Sequence, residues 1–106
     1  MTVAVGIEQD VATIAKAFGH PARVRIMRLL LNHDACYCGE LVDELGLAQA
    51  TVSQHLKMLK AAGLIFGEID GPRTSYCASR ERIAELHELT GVLLDEAVEA
   101  DTSDCN

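Results

Sequence analysis

Two cysteines stand one residue apart in the stretch Cys36-Tyr37-Cys38-Gly39-Glu40-Leu41. Thiolates are soft ligands, and a C-x-C pair offers two of them to a soft metal or metalloid ion. Alternate residues of a strand share one face, so an extended Cys36-Tyr37-Cys38 would present both sulfurs together. Two further cysteines, Cys77 and Cys105, are available to complete a three-sulfur site. Free cysteine is also among the most buried residue types, so Cys77 taken alone reads more readily as a core filler. A redox enzyme would be expected to space its pair as C-x-x-C between a strand and a helix, which this chain does not do. The sequence is therefore read as that of a non-enzyme.

A second set of residues suits hydrogen bonding. In "LAQATVSQHLKMLKAAGL", Val52, Leu56 and Leu59 recur at i, i+4, i+7 and mark the buried side of a helix ended by Gly63. Its other side shows Gln49, Thr51, Ser53, Gln54, His55 and Lys57, types that reach base edges and phosphates when a helix enters the major groove. Arg73, just past Gly71-Pro72, would sit at the tip of a hairpin and reach the DNA backbone or minor groove.

The elements that must position these groups follow from periodicity. Val11, Ile14, Ala15 and Phe18 predict an amphipathic helix with Asp10 as its cap, ended by Gly19. His20-Pro21 starts a second helix, to about Asn32, with Val24, Met27, Leu30 and Leu31 inward. A short helix runs from Gly39 or Glu40 through Leu45, stopped by Gly46 in a left-handed conformation. "LIFGEID" and "RTSYCAS" flank Gly71-Pro72 as a hairpin. From Ser79 a long helix carries Leu86, Leu89, Leu93 and Ala97 along one stripe. His20 reads as a cap, His33 as a loop residue and His87 as a surface residue. Two short helices followed by a hairpin give the order of a winged helix-turn-helix, mainly α with a β-hairpin wing.

At 106 residues this is one domain, with an ordered core over about 9–98 and a flexible tail over 101–106. Hydrophobic residues make up 49% and charged residues 24%, a globular balance. No apolar run approaches the roughly 20 residues that span a bilayer, and "MTVAVGIEQD" has no secretory pattern. The expected location is the cytoplasm, with no membrane partner and with thiols kept reduced. The net charge of −7 argues against non-specific DNA affinity, yet half of the sixteen acids lie between Glu81 and Asp104. Residues 47–62 carry no acid at all. Salt screens exposed charges beyond about 10 Å, so this local balance governs a specific DNA site.

"AFGHPARVRIMRLLL", "LGLAQATVSQHLKMLKAAGLI" and "DGPRTSYCAS" together resemble the ArsR/SmtB family of bacterial metal-sensing repressors, over roughly residues 9–98. The resemblance implies a homodimer, joined through first and last helices, that binds an operator palindrome in double-stranded DNA and releases it when an effector arrives. Where members carry Ser or Thr before the recognition helix, this chain has Ala48.

"CYC" matches the family's C-x-C motif at the start of the helix preceding the recognition helix, most like the arsenic- and antimony-sensing members. Their C-x-C-x-x-C pattern has Leu41 at its third place here. The cadmium/lead sensors draw cysteines from an N-terminal arm, and residues 1–35 contain none. The zinc-type members use Asp/His and His/Glu pairs on the last helix, where this chain offers His87 with Glu85 and Glu88 only. The expected effector is As(III) or Sb(III) on Cys36, Cys38 and Cys77, with Cd(II) or Pb(II) as alternatives. Cys77 would be brought in by residues before the short helix pairing with the second wing strand, and Cys105 on the tail is its competitor. A redox- or sulfur-sensing repressor is the alternative function.

Overall fold

The computed structural model describes residues 2–33 and 36–99. In chain order it contains α1 (Thr2–Phe18), α2 (Pro21–Leu31), β1 (Cys36–Tyr37), α3 (Cys38–Leu45), α4 (Gln49–Ala61), β2 (Ile65–Asp70), β3 (Arg73–Ala78) and α5 (Arg80–Glu99). The helices gather around Ile14, Ile26, Met27, Leu30, Leu41 and Leu59, all buried, and the antiparallel sheet, ordered β1-β3-β2, lies against them. This is a winged helix-turn-helix: α3 and α4 are joined at Gly46, and β2–β3 forms the wing.

Local chemistry explains most boundaries. His20 caps α2 by accepting the Ala22 N–H at its Nδ1 (3.1 Å), with Pro21 in the first helical position. Asn32 closes that helix, its side-chain amide donating to the Arg28 carbonyl at 2.7 Å. Gly46, at φ +66°, makes the left-handed exit from α3 that lets the chain turn into α4. Ala48 begins α4 with extended backbone and no side-chain cap, as its methyl group dictates.

Three expectations are corrected. Helix α1 starts at Thr2, so Asp10 lies within it; Ile7 extends the apolar stripe upstream, and Asp10 instead reaches Arg82 at 3.7 Å. Val24 is 40% exposed, while Ile26 is fully buried, since Ile26 lies nearer the line through Met27 and Leu30 on a 3.6-residue helix. Helix α3 starts at Cys38, so Cys36 and Cys38 do not share a strand face. The cause is Glu40, whose carboxylate accepts the Tyr37 N–H at 2.8 Å and sets Tyr37 as the residue from which the helix springs.

Arg82 ties the start of α5 to the rest. Its Nε donates to the Ala62 carbonyl at the end of α4 (3.0 Å), and its guanidinium pairs with Glu85 (2.6 Å) and Asp10. Ser79, whose N–H donates to the Leu64 carbonyl at 2.8 Å, anchors the turn from β3 into α5.

Candidate nucleic-acid interface and thiol site

Helix α4 buries Val52, Leu56 and Leu59 and leaves Gln49, Thr51, Ser53, Gln54 and Lys57 exposed. The apolar stripe fixes the rotation of the helix, and the polar face follows from it. His55 sits apart from that set. It is half-buried and turns toward α2, where its ring lies 4.5 Å from that of His20 at a 48° tilt. Burial, then the charges of His20 and Arg23, push its imidazole below the ordinary 6.5. Nε and Nη1 of Arg23 are buried with no hydrogen-bond partner.

Arg73 is exposed at the start of β3, and its guanidinium carbon lies 3.9 Å above the Tyr37 ring. The register accounts for this stack. Tyr37 pairs with Ser75, and Arg73, two residues along β3, projects from the same face as Ser75.

The expected pairing of the C-x-C segment with the second wing strand is present as β1–β3. Cys36 is opposite Tyr76, which leaves Cys77 on the pleat face of Ser75 and Tyr37. Cys36 is 6% exposed and joins the hydrophobic core. It opens onto a hollow of about 250 Å³ whose rim carries His33, Glu40, Asp43 and Glu44. Burial, followed by the negative charges of Glu40, Cys77 and Glu44, pushes the Cys36 thiol above its ordinary 9.0. Cys77, half-buried, is thus close enough for its charge to be felt at Cys36. Cys38 is half-buried in the first turn of α3, and its Sγ lies 3.9 Å from Ser53 Oγ on α4.

The donor chemistry, three thiols within one small sheet-and-helix junction, fits a soft ion. Among the described residues, no three His, Cys, Asp or Glu side chains already stand together as a metal-binding group. Cys105 lies outside the described residues. On α5, Glu85 is engaged by Arg82, and His87 is exposed. No described helix is long and apolar enough to cross a membrane.

Sequence reasoning passed over two residues here. Tyr37 was only a spacer between cysteines, and Glu40 only a helix residue. A glutamate at the third position of the helix, where it can reach back to the boundary N–H, was the available signal for Glu40. Nothing local pointed to the Tyr37–Arg73 stack, which depends on strand register.

Residues 20–65 match the family model described as bacterial regulatory protein, arsR family. The chain is 36% identical over 95 residues to the HTH-type transcriptional regulator CmtR of Mycobacterium tuberculosis, covering 89% of this chain and 78% of that protein. It is 39% identical over 87 residues to the HTH-type transcriptional repressor SmtB of the same organism, covering 82% and 59% respectively. Among solved structures, the homodimeric winged helix-turn-helix DNA-binding domain of Mb0332 from Mycobacterium bovis superposes with a TM-score of 0.71 at 28% identity, covering 91% of this chain and 88% of that one.

Proposed function

We propose that this chain, which belongs to the ArsR family of bacterial regulatory proteins, is a dimeric repressor released from its operator by As(III) or Sb(III) on cysteine thiolates. The observation that carries the effector reading is the β1–β3 pairing. It sets Cys36 beside the strand that carries Cys77, with Cys38 next in the chain but one, at the start of the helix that packs on α4.

Cys36, Cys38 and Cys77 would hold the ion, which supplies strong, directional bonds to three sulfurs. To converge, Cys36 must leave its place in the core and Cys38 must leave Ser53. Both displacements bear on α3, which packs on α4 and contributes Leu41, Val42 and Leu45 to the shared hydrophobic core. A coupling of about 1–3 kcal/mol between ion and operator shifts occupancy about 5- to 150-fold, which is enough for derepression. Gln49, Thr51, Ser53, Gln54 and Lys57 on α4, with Arg73 on the wing, would make the DNA contacts, whereas His55, expected among them, is turned toward His20.

The test is titration of the reduced protein with arsenite, run on the unaltered chain, Cys77→Ser and Cys105→Ser. Loss of three free thiols in the unaltered chain, with tight binding lost only in Cys77→Ser, is the expected result. Loss of binding only in Cys105→Ser would transfer the third ligand to the tail. Consumption of no thiols would overturn the effector reading and leave the DNA-binding one standing. In operator binding, Cys36→Ser should retain affinity and no longer respond to arsenite.

A further inference from the structure

We propose that Tyr37 is a positioning residue that reports the state of Cys36 and Cys38 to the wing, by holding the Arg73 guanidinium in the pose that meets operator phosphate. This rests on the reading just given, in which Arg73 contacts DNA and the thiols take the effector.

Three observations converge on Tyr37. Its ring lies beneath Arg73, 3.9 Å from the guanidinium carbon. Its backbone N–H is fixed by the Glu40 carboxylate at 2.8 Å, and its pairing with Ser75 fixes its height along the wing. Its two chain neighbours are Cys36 and Cys38.

The chemistry of the stack matters. A guanidinium lying over an aromatic ring uses its π face for that contact, and its N–H groups point outward in the plane of the fork. A stacked arginine is therefore restrained without being spent, and its donors remain free for a phosphate oxygen. An unrestrained arginine would have to be ordered when DNA binds, at the expense of affinity. Peptide geometry links the ring to the thiols, because only two soft torsions, one ψ and one φ, lie between each sulfur-bearing Cα and that of Tyr37. Convergence of Cys36 and Cys38 on one ion changes those torsions, breaks the Ser75 register or the Glu40 bond, and withdraws the ring from beneath Arg73. The second thiol acts on the other DNA-reading element, since Cys38 touches Ser53 on α4. One three-residue motif thus touches both elements that face DNA.

The experiment is a double-mutant cycle on the full chain, with a duplex selected by the unaltered dimer from a random pool, titrated at several salt concentrations with and without arsenite. Tyr37→Phe keeps the ring and should keep its coupling to Arg73. Tyr37→Leu keeps bulk without a π face and should weaken binding about 2- to 5-fold per subunit, the worth of an exposed cation–π contact. In an Arg73→Ala background the Tyr37→Leu effect should vanish, and Arg73→Ala itself should lower the salt slope by about 1 per subunit. Arg73→Lys should keep most of that slope while losing its dependence on Tyr37. The drop in affinity caused by arsenite should shrink in Tyr37→Leu by the same factor as its basal loss. Additive losses from Tyr37→Leu and Arg73→Ala, or an unchanged arsenite response in Tyr37→Leu, would overturn the proposal alone. An Arg73→Ala chain with unchanged affinity and slope would overturn the wing reading and the proposal with it. An arsenite response that survives in Cys36→Ser would overturn the effector reading, while the arsenite-free cycle still decides whether Tyr37 acts through Arg73.

Discussion

At the scale of single residues, Cys36 is held in a state that opposes premature chemistry. It is a thiol in an apolar environment, with Glu40 and Glu44 close enough to penalise its ionised form. Because its folded pKa is raised, the stability it contributes is fully present below the unfolded value of 9.0 and is lost as pH rises through the folded value. Arsenite binding is not opposed in the same way, since As(OH)3 meeting three protonated thiols forms three As–S bonds and releases three waters with no net proton. At neutral pH, Cys36 should therefore be alkylated by iodoacetamide more slowly than half-buried Cys38, as followed by mass spectrometry of digested peptides. Glu40→Gln removes one of the opposing charges and should speed modification at Cys36 several-fold, while also loosening the Tyr37 N–H. If Cys36 proved the faster of the two in the unaltered chain, the buried, protonated thiol described here would be wrong.

At the scale of elements, helices and wing were legible because each carries its own signal. The Val52-Leu56-Leu59 stripe, the left-handed glycines at 46, 63 and 71, and the His20-Pro21 start are local features, and each element stands where they put it. The start of α1 was misplaced because Asp10 resembles a cap, and only the approach of Arg82 from α5 shows that it belongs to a helix side. The site was legible in its residue types and less so in its geometry. A strand-like C-x-C suggested two sulfurs on one face, whereas Glu40 starts α3 at Cys38, and the register places Tyr76 rather than Cys77 opposite Cys36. Capping and register were the missing information, and both depend on contacts beyond the motif. The same logic makes Ala48 informative. Its backbone already has the extended conformation of an N-cap, φ −62° and ψ 146°, without an oxygen to use it. Ala48→Ser should stabilise the chain by about 1 kcal/mol. For a domain of this size that is a rise of about 4–8 °C in Tm, read by circular dichroism. An unchanged or lower Tm would mean that the first turn of α4 is held by packing alone.

At the scale of the whole molecule, a single chain is extended. Its radius of gyration is 16.6 Å, with principal extents of 55 × 28 × 21 Å. A compact chain of this length would have a radius of about 13 Å. The apolar residues of α5 divide into a packed set and an exposed set. Its first half packs inward through Ile83, Leu86 and Leu89, while Leu93, Leu94 and Val98 in its second half are 48%, 64% and 76% exposed. Such a stripe on a free helix end is a surface built to be covered, and the similar Mb0332 domain is homodimeric. Dimerisation also fits the DNA task, because two recognition helices fixed about one DNA turn apart bind a palindrome as a single unit. Tethering the second half-site in this way gains about 10²- to 10⁴-fold over separate monomers. A Leu94→Lys/Val98→Lys chain should therefore sediment as a monomer with its helical content retained, and operator affinity should fall by about that factor. The wing stack and the thiol motif share no residue with this stripe, so the number of thiols that arsenite consumes should be unaffected. Retention of the dimer in this variant would move the interface off the second half of α5, and loss of arsenite binding along with the dimer would show that the effector site needs both subunits.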